Sequence, residues 1–282
     1  MVRVVVTLIV NPFASRVREE RVRAIERALG DVETRLTERR GHATELAREA
    51  KGEAIYVYGG DGVVNEVLNG LERDVPVAIV PGGHTNVLAR TLGVSRRPLE
   101  VGRPRRISLG RVNGRRFAFS AGIGVDSEAV RRLDTIVRNR EGRRPGDIAY
   151  ARVVAMLLLR GYEPRLEIEG LGRAAIAFVS NSSVFTYAGP RALSFSPRAS
   201  LELGLDLVAP ERISPRTLPR LLARIVVGRG LEGARGVLAG HDLDRLVIRC
   251  REPLPLEADG EDLGDVTEAV FEAERDAISV LV

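Results

Sequence analysis

Short apolar runs alternate with amphipathic segments through the first hundred residues, and this alternation constrains the fold more than any other feature. The runs Val4–Val10, Ala54–Tyr58 and Val75–Val80 are continuous and largely apolar, as strands buried on both faces require. Between them, Arg16–Leu29 and His42–Lys51 place apolar residues among charged ones with helical spacing. Strands that alternate with helices predict a mostly parallel sheet with helices on both faces.

The pattern changes after about residue 100. Segments such as Arg116–Ser120 and Leu246–Cys250 are typical of strands, and Gly, Pro and Asn residues separate them. Two helices interrupt this part, at roughly Asp147–Arg160 and Pro215–Val227. We therefore predict two domains, an α/β domain over residues 1–100 and a domain rich in antiparallel strands over residues 101–282.

Composition narrows the class of protein. Apolar residues make up 44% and charged residues 29%, which is typical of a folded, water-soluble chain. The single cysteine, Cys250, excludes an internal disulfide framework and a cysteine-based zinc cluster. Met1–Val10 passes into Asn11-Pro12 without a signal-peptide cleavage site, and Val153–Leu159 is far shorter than the roughly 20 residues that span a bilayer. We expect a cytoplasmic protein.

The charge is positive and unevenly distributed. The net charge is +5 at pH 7, and arginines crowd the stretch Arg131–Arg144. Trp is absent and aromatic residues are only 4%, so the stacking residues of nucleic-acid-binding proteins are missing and we predict no nucleic-acid partner. An anionic membrane surface fits this arginine cluster better. A solvated helix face remains the alternative.

A glycine-rich loop, Gly59-Gly60-Asp61-Gly62, follows an apolar strand and precedes a helix. Ligands of α/β sheets bind at this position, outside the carboxyl ends of the strands. Glycines allow the backbone to approach phosphates, and a helix N-terminus presents free N–H groups to an anion. A carboxylate at Asp61 suits such a site if Mg²⁺ accompanies the phosphates. Taken alone, the loop is equally well explained as an ordinary tight turn.

A second loop, Pro81-Gly82-Gly83-His84-Thr85-Asn86, repeats the order of strand, glycine turn and helix. Thr85 and Asn86 can hydrogen-bond a phosphate or a sugar, or cap the helix that follows. Two such loops after successive parallel strands would face one crevice, which favours the phosphate-binding interpretation. Neither loop contains the P-loop or the dinucleotide-binding fingerprint.

The run GGDGVVNEVLNGL, Gly59 to Leu71, resembles the signature of the diacylglycerol kinase catalytic-domain family, which includes bacterial lipid kinases, sphingosine kinases and ceramide kinase. Further segments resemble the family's motifs in the same order, namely Asn11-Pro12, Thr37–Ala43, Pro81–Gly93, Ala121–Asp126, Asn181, Ala188-Gly189 and Asp259-Gly260-Glu261. The resemblance covers nearly the whole chain.

The resemblance implies a fold like that of NAD kinases and diacylglycerol kinases. A mostly parallel α/β domain would be followed by a β-rich, sandwich-like domain, with ATP in the cleft between them. The implied reaction is Mg²⁺-dependent transfer of the γ-phosphoryl group of ATP to a lipid hydroxyl. For a compact sequence of this kind, the family's default acceptor is diacylglycerol-like, and its product is phosphatidic acid.

The same resemblance assigns the site residues. Asp259 would be the general base towards the hydroxyl, Glu261 would support it, Asp126 would join the acidic cluster, and Asp61 would serve the Mg²⁺–nucleotide. The residues assigned to the nucleotide are Asn11, Gly59, Gly60, Asp61, Gly62, Glu66, Gly82, Gly83, Thr85 and Asn86. From the residues alone, Asp259 is also explained as a turn residue, Asp126 as a helix cap, and Glu66 as a brace for its loop.

The sequence departs from the family pattern at four positions. Val63 replaces a Thr after the first loop, Val87 replaces an Asp that many members carry, and His84 replaces a small residue. Leu203 lies in the segment Glu202–Asp206, where many bacterial members have an Asp-Asp-Gly that is associated with a structural Mg²⁺. A leucine cannot ligate a metal, so that metal site is in doubt. These losses lower the expected activity more than they affect the fold.

The partners follow from the implied reaction. The acceptor must leave a bilayer, so we expect transient, peripheral contact with an anionic membrane through Arg131–Arg144. We also expect an apolar groove lined by Val153–Leu159 and Phe185–Tyr187, with ordinary core packing as the alternative for both segments. A homodimer is compatible with the family.

Two other functions remain open. A catalytically weak relative that only binds a nucleotide or lipid is supported by the departures. An NAD kinase shares the GGDG loop, but its second motif is built around clustered Asn and Glu, unlike Pro81–Gly93.

Overall fold

The chain forms two compact units. The computed structural model describes residues 6–94, 103–124 and 161–282. One unit comprises Met1–Leu109 together with Arg275–Val282, and the other comprises Gly110–Glu274.

The first unit contains a parallel sheet. Its strands are β1 (Val6–Val10), β2 (Val32–Leu36), β3 (Ala54–Gly59) and β4 (Val77–Pro81), in the order β2-β1-β3-β4. The pairs β1–β2, β1–β3 and β3–β4 are all parallel. Every residue of β1 is buried, which accounts for its continuous apolar run. The end of the long strand β16 (Glu261–Leu281) pairs with β4 in parallel and places Val280 beside Val77.

Four helices accompany this sheet: α1 (Glu19–Leu29), α2 (His42–Glu49), α3 (Asp61–Gly70) and α4 (Val87–Thr91). Ile25 of α1 is fully buried in a cluster with Leu8 and Tyr58 of the sheet. α2 and α3 approach closely at Gly70, where a Cβ would lie 2.2 Å from the carbonyl oxygen of Thr44. Only glycine therefore fits at that contact.

The second unit is rich in strands. They are β6 (Arg115–Phe117), β7 (Ser120–Ile123), β8 (Leu166–Ile168), β9 (Gly172–Ala174), β10 (Ala177–Ser180), β11 (Thr186–Ala188), β12 (Arg191–Leu193), β13 (Leu205–Pro210), β14 (Val237–Leu243) and β15 (Arg245–Ala258). β5 (Pro104–Val112) and β16 each have residues in both units. The central order β14-β13-β10-β7-β15-β16 is antiparallel. One helix, α5 (Leu218–Val226), is described in this unit.

The core of the second unit packs aromatic and aliphatic side chains between its strands. Phe117 and Phe271 are both fully buried, and their rings meet edge to face with centroids 6.4 Å apart. A second cluster packs Leu218 and Leu221 of α5 against Phe178 and Val208 of the sheet.

The predicted fold class is confirmed: the N-terminal strands are parallel and the C-terminal part is strand-rich. Some boundaries differ. Arg116–Ser120 was predicted as one strand, but it is divided between β6 and β7 because Ala118 and Phe119 turn their N–H groups to the side chain of Asp259. The helix predicted at Asp147–Arg160 lies outside the described residues.

Candidate active site

The two glycine loops of the first unit pack against each other backbone to backbone. Gly82 donates its N–H to the carbonyl oxygen of Gly59 at 2.7 Å. A Cβ on Gly83 would lie 2.5 Å from the Cα of Gly60, and a Cβ on Gly59 would lie 2.2 Å from a methyl of Val63. Close packing therefore excludes larger residues from these positions, and it brings together the carboxyl ends of β3 and β4.

The segment after β1 joins the same group of loops. Asn11 donates its N–H to the carbonyl of Tyr58 at 3.0 Å, and Arg16 donates its N–H to the carbonyl of Gly82 at 3.0 Å. The Arg16 guanidinium also donates to the carbonyl of His84 at 3.3 Å. Three backbone segments that are far apart in sequence thus meet at one edge of the sheet, as the sequence predicts for neighbouring parallel strands.

Gly62 differs from the other glycines of these loops. It is exposed, its φ lies outside the left-handed region, and an added Cβ would meet nothing within 4 Å. It lies in the first turn of α3, whose N-terminus has no side-chain cap. Neither packing nor backbone conformation requires glycine here. The close approach of an anion to the uncapped helix N-terminus would require it.

Asp61 begins α3 and directs its carboxylate to the N-terminus of α4. Its Oδ1 accepts the N–H of Leu88 at 3.3 Å. Burial raises the pKa of the Asp61 carboxyl above its ordinary value, while backbone N–H groups at the start of α4 act in the opposite direction. Asp61 therefore ties the two glycine loops together, and it occupies the end of α4 rather than that of α3.

Glu66 and Asn86 also make contacts that shape the loops. Both oxygens of the Glu66 carboxylate accept backbone N–H groups, from Gly41 at 2.9 Å and from Ala43 at 3.1 Å. Asn86 is buried with a φ of +52°, and its amide both donates to and accepts from the backbone of Gly83, at 2.9 and 2.8 Å. The structure thus supports the interpretation of Glu66 as a brace.

Asn11 and Thr85 are half-buried beside the loops. The side-chain oxygen of Asn11 accepts the N–H of Phe13 at 3.0 Å and so fixes the turn after β1. Phe13 itself is 77% exposed, which makes it the most exposed large apolar residue in the described part of the chain.

Asp259 and Gly260 form the two-residue turn between β15 and β16. Ala258 lies opposite Glu261 in the ladder, and both turn residues have positive φ, +49° and +78°. Asp-Gly is the residue pair that this tight hairpin turn prefers. The turn interpretation of Asp259 is therefore correct as far as the backbone is concerned.

The side chain of Asp259 is fixed as well. It is only 9% exposed, and its carboxylate accepts the N–H groups of Ala118 at 2.6 Å, Phe119 at 2.9 Å and Ser120 at 3.2 Å. Three donors stabilise the ionised carboxylate and fix its orientation. Asn181, another motif residue, donates its side-chain N–H to the carbonyl of Ala118 at 2.8 Å.

Two more acidic residues surround this turn. Glu261 forms an ion pair with Arg115 at 2.5 Å. Glu257, which is 1% exposed, accepts the N–H of Gly260 at 2.9 Å. Sequence reasoning missed both Arg115 and Glu257. Nothing in the sequence around Arg115 indicates that it pairs with Glu261. Glu257 could have been predicted, because it lies two residues before the Asp259-Gly260 turn.

Several predicted residues lie outside the described parts of the chain. These are Asp126, Arg131–Arg144 and Val153–Leu159. Phe185 is described, and it forms an aromatic cluster with Phe178 and Phe195, whose ring centroids lie 6.3 and 4.4 Å from its own.

The departures from the family pattern affect packing. Val63 and Val87 are both buried.

Near Leu203, the fully buried Asp206 carboxylate contacts Nδ1 of His241 at 2.8 and 2.9 Å and accepts the N–H of Asp242 at 3.0 Å. These protein groups and the leucine do not fit the implied structural Mg²⁺ site. In the described ranges, no group of three or more His, Cys, Asp or Glu is arranged to hold a metal.

Comparison with known proteins identifies what this arrangement resembles. Residues 5–113 match the family model for the diacylglycerol kinase catalytic domain. The diacylglycerol kinase of Bacillus subtilis (strain 168) is 32% identical over 161 residues, which is 51% of this chain and 52% of that protein. Human sphingosine kinase 1 is 43% identical over 68 residues, 20% of this chain and 18% of that protein. The matches span about half or less of the length of these relatives.

Solved structures extend the similarity of fold to the whole chain. A diacylglycerol kinase crystal structure from Bacillus anthracis strain Sterne covers 99% of this chain and 96% of its own, with a TM-score of 0.74 and 24% identity. An NAD kinase from Archaeoglobus fulgidus in complex with ATP covers 98% of this chain and 93% of its own, with a TM-score of 0.53 and 15% identity. Within the described residues, no helix is long and apolar enough to cross a membrane.

Proposed function

We propose that this chain, whose residues 5–113 match the family model for the diacylglycerol kinase catalytic domain, transfers the γ-phosphoryl group of ATP to the hydroxyl of a lipid, with a diacylglycerol-like acceptor and phosphatidic acid as its product. The observation that carries the proposal is the pair of glycine loops. They pack so closely that a Cβ on Gly83 would lie 2.5 Å from Gly60, yet Gly62 stays open at an uncapped helix N-terminus.

The loops would bind the phosphates of the nucleotide. Backbone N–H groups at the start of α3 donate to anionic oxygens, and the helix dipole favours negative charge there. Asp61 holds the two loops in register through α4. Mg²⁺, when bound with the nucleotide, would neutralise charge that develops on the transferred group. Because one Asp61 oxygen already accepts a backbone N–H, we assign the residue a positioning role in addition to any contact with Mg²⁺.

We assign the proton-accepting role to Asp259. In the proposed step, the lipid oxygen forms a bond to the γ-phosphorus, the bond from that phosphorus to the β–γ bridging oxygen breaks, and the hydroxyl proton passes to the Asp259 carboxylate. The three N–H donors to this carboxylate support the assignment because they fix its direction before the substrate arrives. Glu261 follows this turn directly, and its ion pair with Arg115 would help to hold the turn in place.

One observation favours a weaker relative as the second candidate. The carboxylates of Asp61, Glu66 and Asp259 all accept backbone N–H groups of the protein. Carboxylate oxygens that already accept bonds from the protein have less capacity left for Mg²⁺ or a substrate hydroxyl, so a nucleotide- or lipid-binding protein with little turnover is the alternative function.

A panel assay separates these functions. Purified protein, γ-labelled ATP and Mg²⁺ are incubated separately with diacylglycerol, monoacylglycerol, sphingosine, ceramide, undecaprenol and NAD. We expect a labelled organic-phase product, largest with diacylglycerol. A labelled water-soluble product only with NAD would identify an NAD kinase, and ATP binding without any product would identify the weak relative.

A further inference from the structure

The exposed side of helix α5 carries an unusual concentration of apolar side chains. Leu222, Val226 and Val227 are 43%, 52% and 62% exposed. They are three of the seven exposed large hydrophobic residues in the described ranges, and they lie within six consecutive positions. Such clustering on a monomeric surface marks an interaction site more often than single scattered residues do.

The helix has two apolar faces, and only one of them is covered. Leu218 and Leu221 are buried in the core of the second unit. Leu222 and Val226, four positions apart, share another face, which Pro219 and Ala223 extend and which is exposed along its length. The covered face explains why α5 folds in place. Among residues 6–94, 103–124 and 161–282, none covers the exposed face.

Positive charge surrounds this exposed face. Residues 212–230 contain five arginines and no acidic residue, and one of the five, Arg212, forms an ion pair with Glu163 at 2.8 Å. Arg220 and Arg224 donate to the backbone carbonyls of Arg235, Gly230 and Glu232, and a guanidinium N–H of Arg191 donates to the carbonyl of Val226. Bonds to carbonyl oxygens fix the guanidinium groups without cancelling their charge.

We propose that this face, Leu222, Val226 and Val227 with the neighbouring Arg216 and Arg229, docks the protein on an anionic lipid bilayer. The apolar side chains enter the boundary between headgroups and acyl chains, and the guanidinium groups meet lipid phosphates. A second copy of this chain fits less well, because a two-fold contact through this face would bring arginines of like charge together. The reason for docking rests on the proposed lipid-kinase function, but docking itself is measured without turnover.

The test is sedimentation with vesicles. Full-length protein is mixed with vesicles of phosphatidylcholine alone or with 30% phosphatidylglycerol, at low and at high salt. The variant Val226→Ser/Arg229→Glu removes one exposed apolar side chain and reverses one charge of the face. The control variant Leu171→Ser/Arg173→Glu makes the same changes at the exposed residues of the β8–β9 hairpin, where Leu171 is 40% exposed.

We expect the wild type and the control to bind the anionic vesicles in a salt-sensitive manner, and the α5 variant to bind at least about tenfold more weakly. Equal binding by the α5 variant, or equal binding to vesicles of phosphatidylcholine alone, overturns the proposal. A change of oligomeric state in gel filtration caused only by the α5 variant would overturn it in favour of a second copy. Activity on a dispersed short-chain diacylglycerol is measured in parallel. Its absence with intact vesicle binding would contradict the kinase function and leave docking in place.

Discussion

The glycine loops of the first unit and the acidic turn of the second unit are held by opposite means. Backbone meets backbone at Gly60 and Gly83, where the absence of side chains allows the contact. The Asp259 carboxylate, in contrast, is held by N–H groups of residues about 140 positions earlier in the chain. At Gly60 and Gly83, a side chain of any size would therefore force the two loops apart. At Asp259, the size of the side chain matters less than the presence of two oxygen atoms that accept hydrogen bonds. The variants below therefore test the two units with different chemistry.

Replacing Asp259 with Asn should have the largest effect. The amide keeps one acceptor oxygen but turns an NH₂ group towards a backbone N–H donor, and it cannot accept the hydroxyl proton. We expect turnover to fall by about 10²- to 10⁴-fold and the free energy of unfolding to fall by about 1–3 kcal/mol. Product formation and chemical denaturation measure the two effects, and nucleotide affinity should not change. Turnover that persists would show that Asp259 is not the base.

Replacing Gly83 with Ala should come next. The added methyl meets the Cα of Gly60, and neither backbone can yield without moving a loop. We expect a loss of about 1–3 kcal/mol in the free energy of unfolding, together with weaker nucleotide binding. Gly93→Ala is a poor control because its φ of +74° adds strain of its own. Ala89→Gly, in the adjacent helix α4, is the control for a general loss of stability: it should also lower the free energy of unfolding, by about 1 kcal/mol, but it adds no atom between the two loops.

Replacing Gly62 with Ala separates folding from binding within the same loop. Alanine is the better helix former, and open space receives its methyl, so the melting temperature should stay the same or rise. Nucleotide affinity should fall by about tenfold, because the methyl obstructs close approach to the helix N-terminus. Calorimetric titration with Mg²⁺–ATP measures this fall. Glu20→Ala, in the first turn of α1, is the control, and unchanged affinity in Gly62→Ala would contradict the phosphate-binding role.

The smallest expected effect is at Glu232, whose partly buried carboxyl lies near the carboxylate of Asp206. Burial and the nearby Asp206 raise the pKa of Glu232 above its ordinary value, while Arg198 and His241 act in the opposite direction. A raised pKa stabilises the fold fully below pH 4.5, and this stabilisation is lost as the pH rises through the folded-state value. Glu232→Gln should therefore gain stability relative to the wild type as the pH rises, by about 0.5 kcal/mol or less at neutral pH. Thermal melts from pH 4 to pH 8 measure the trend, and a parallel pH dependence of the two proteins would contradict it.

The same comparison shows what the sequence could predict. The loops at Gly59–Gly62 and Pro81–Asn86 follow their strands directly, so local pattern and glycine content were sufficient to predict them. The Asp-Gly turn was also open to prediction, because two-residue hairpins have a strong local signature. The N–H donors from 118–120 were not, since nothing in that segment indicates which distant side chain it binds.

The long strand β16 was missed for a related reason, whereas Leu246–Cys250 was correctly predicted as a strand, part of β15. β16 covers 21 residues, and its burial alternates only weakly, with many charged residues on exposed positions. The sequence therefore presents an acidic stretch there instead of a clear period of two. Its last residues join the first unit through pairing with β4, a contact across about 200 residues of sequence. No local pattern contains that information.

This return of the last strand has a consequence for how the protein is made. The parallel sheet of the first unit includes residues that are synthesised after all of Gly110–Glu274. At ribosomal rates of roughly 5–20 residues per second, the end of β16 is synthesised on the order of ten seconds after β4. During that interval the nascent chain exposes an unpaired edge of an apolar sheet, and this is when a chaperone or a misplaced strand would compete for it.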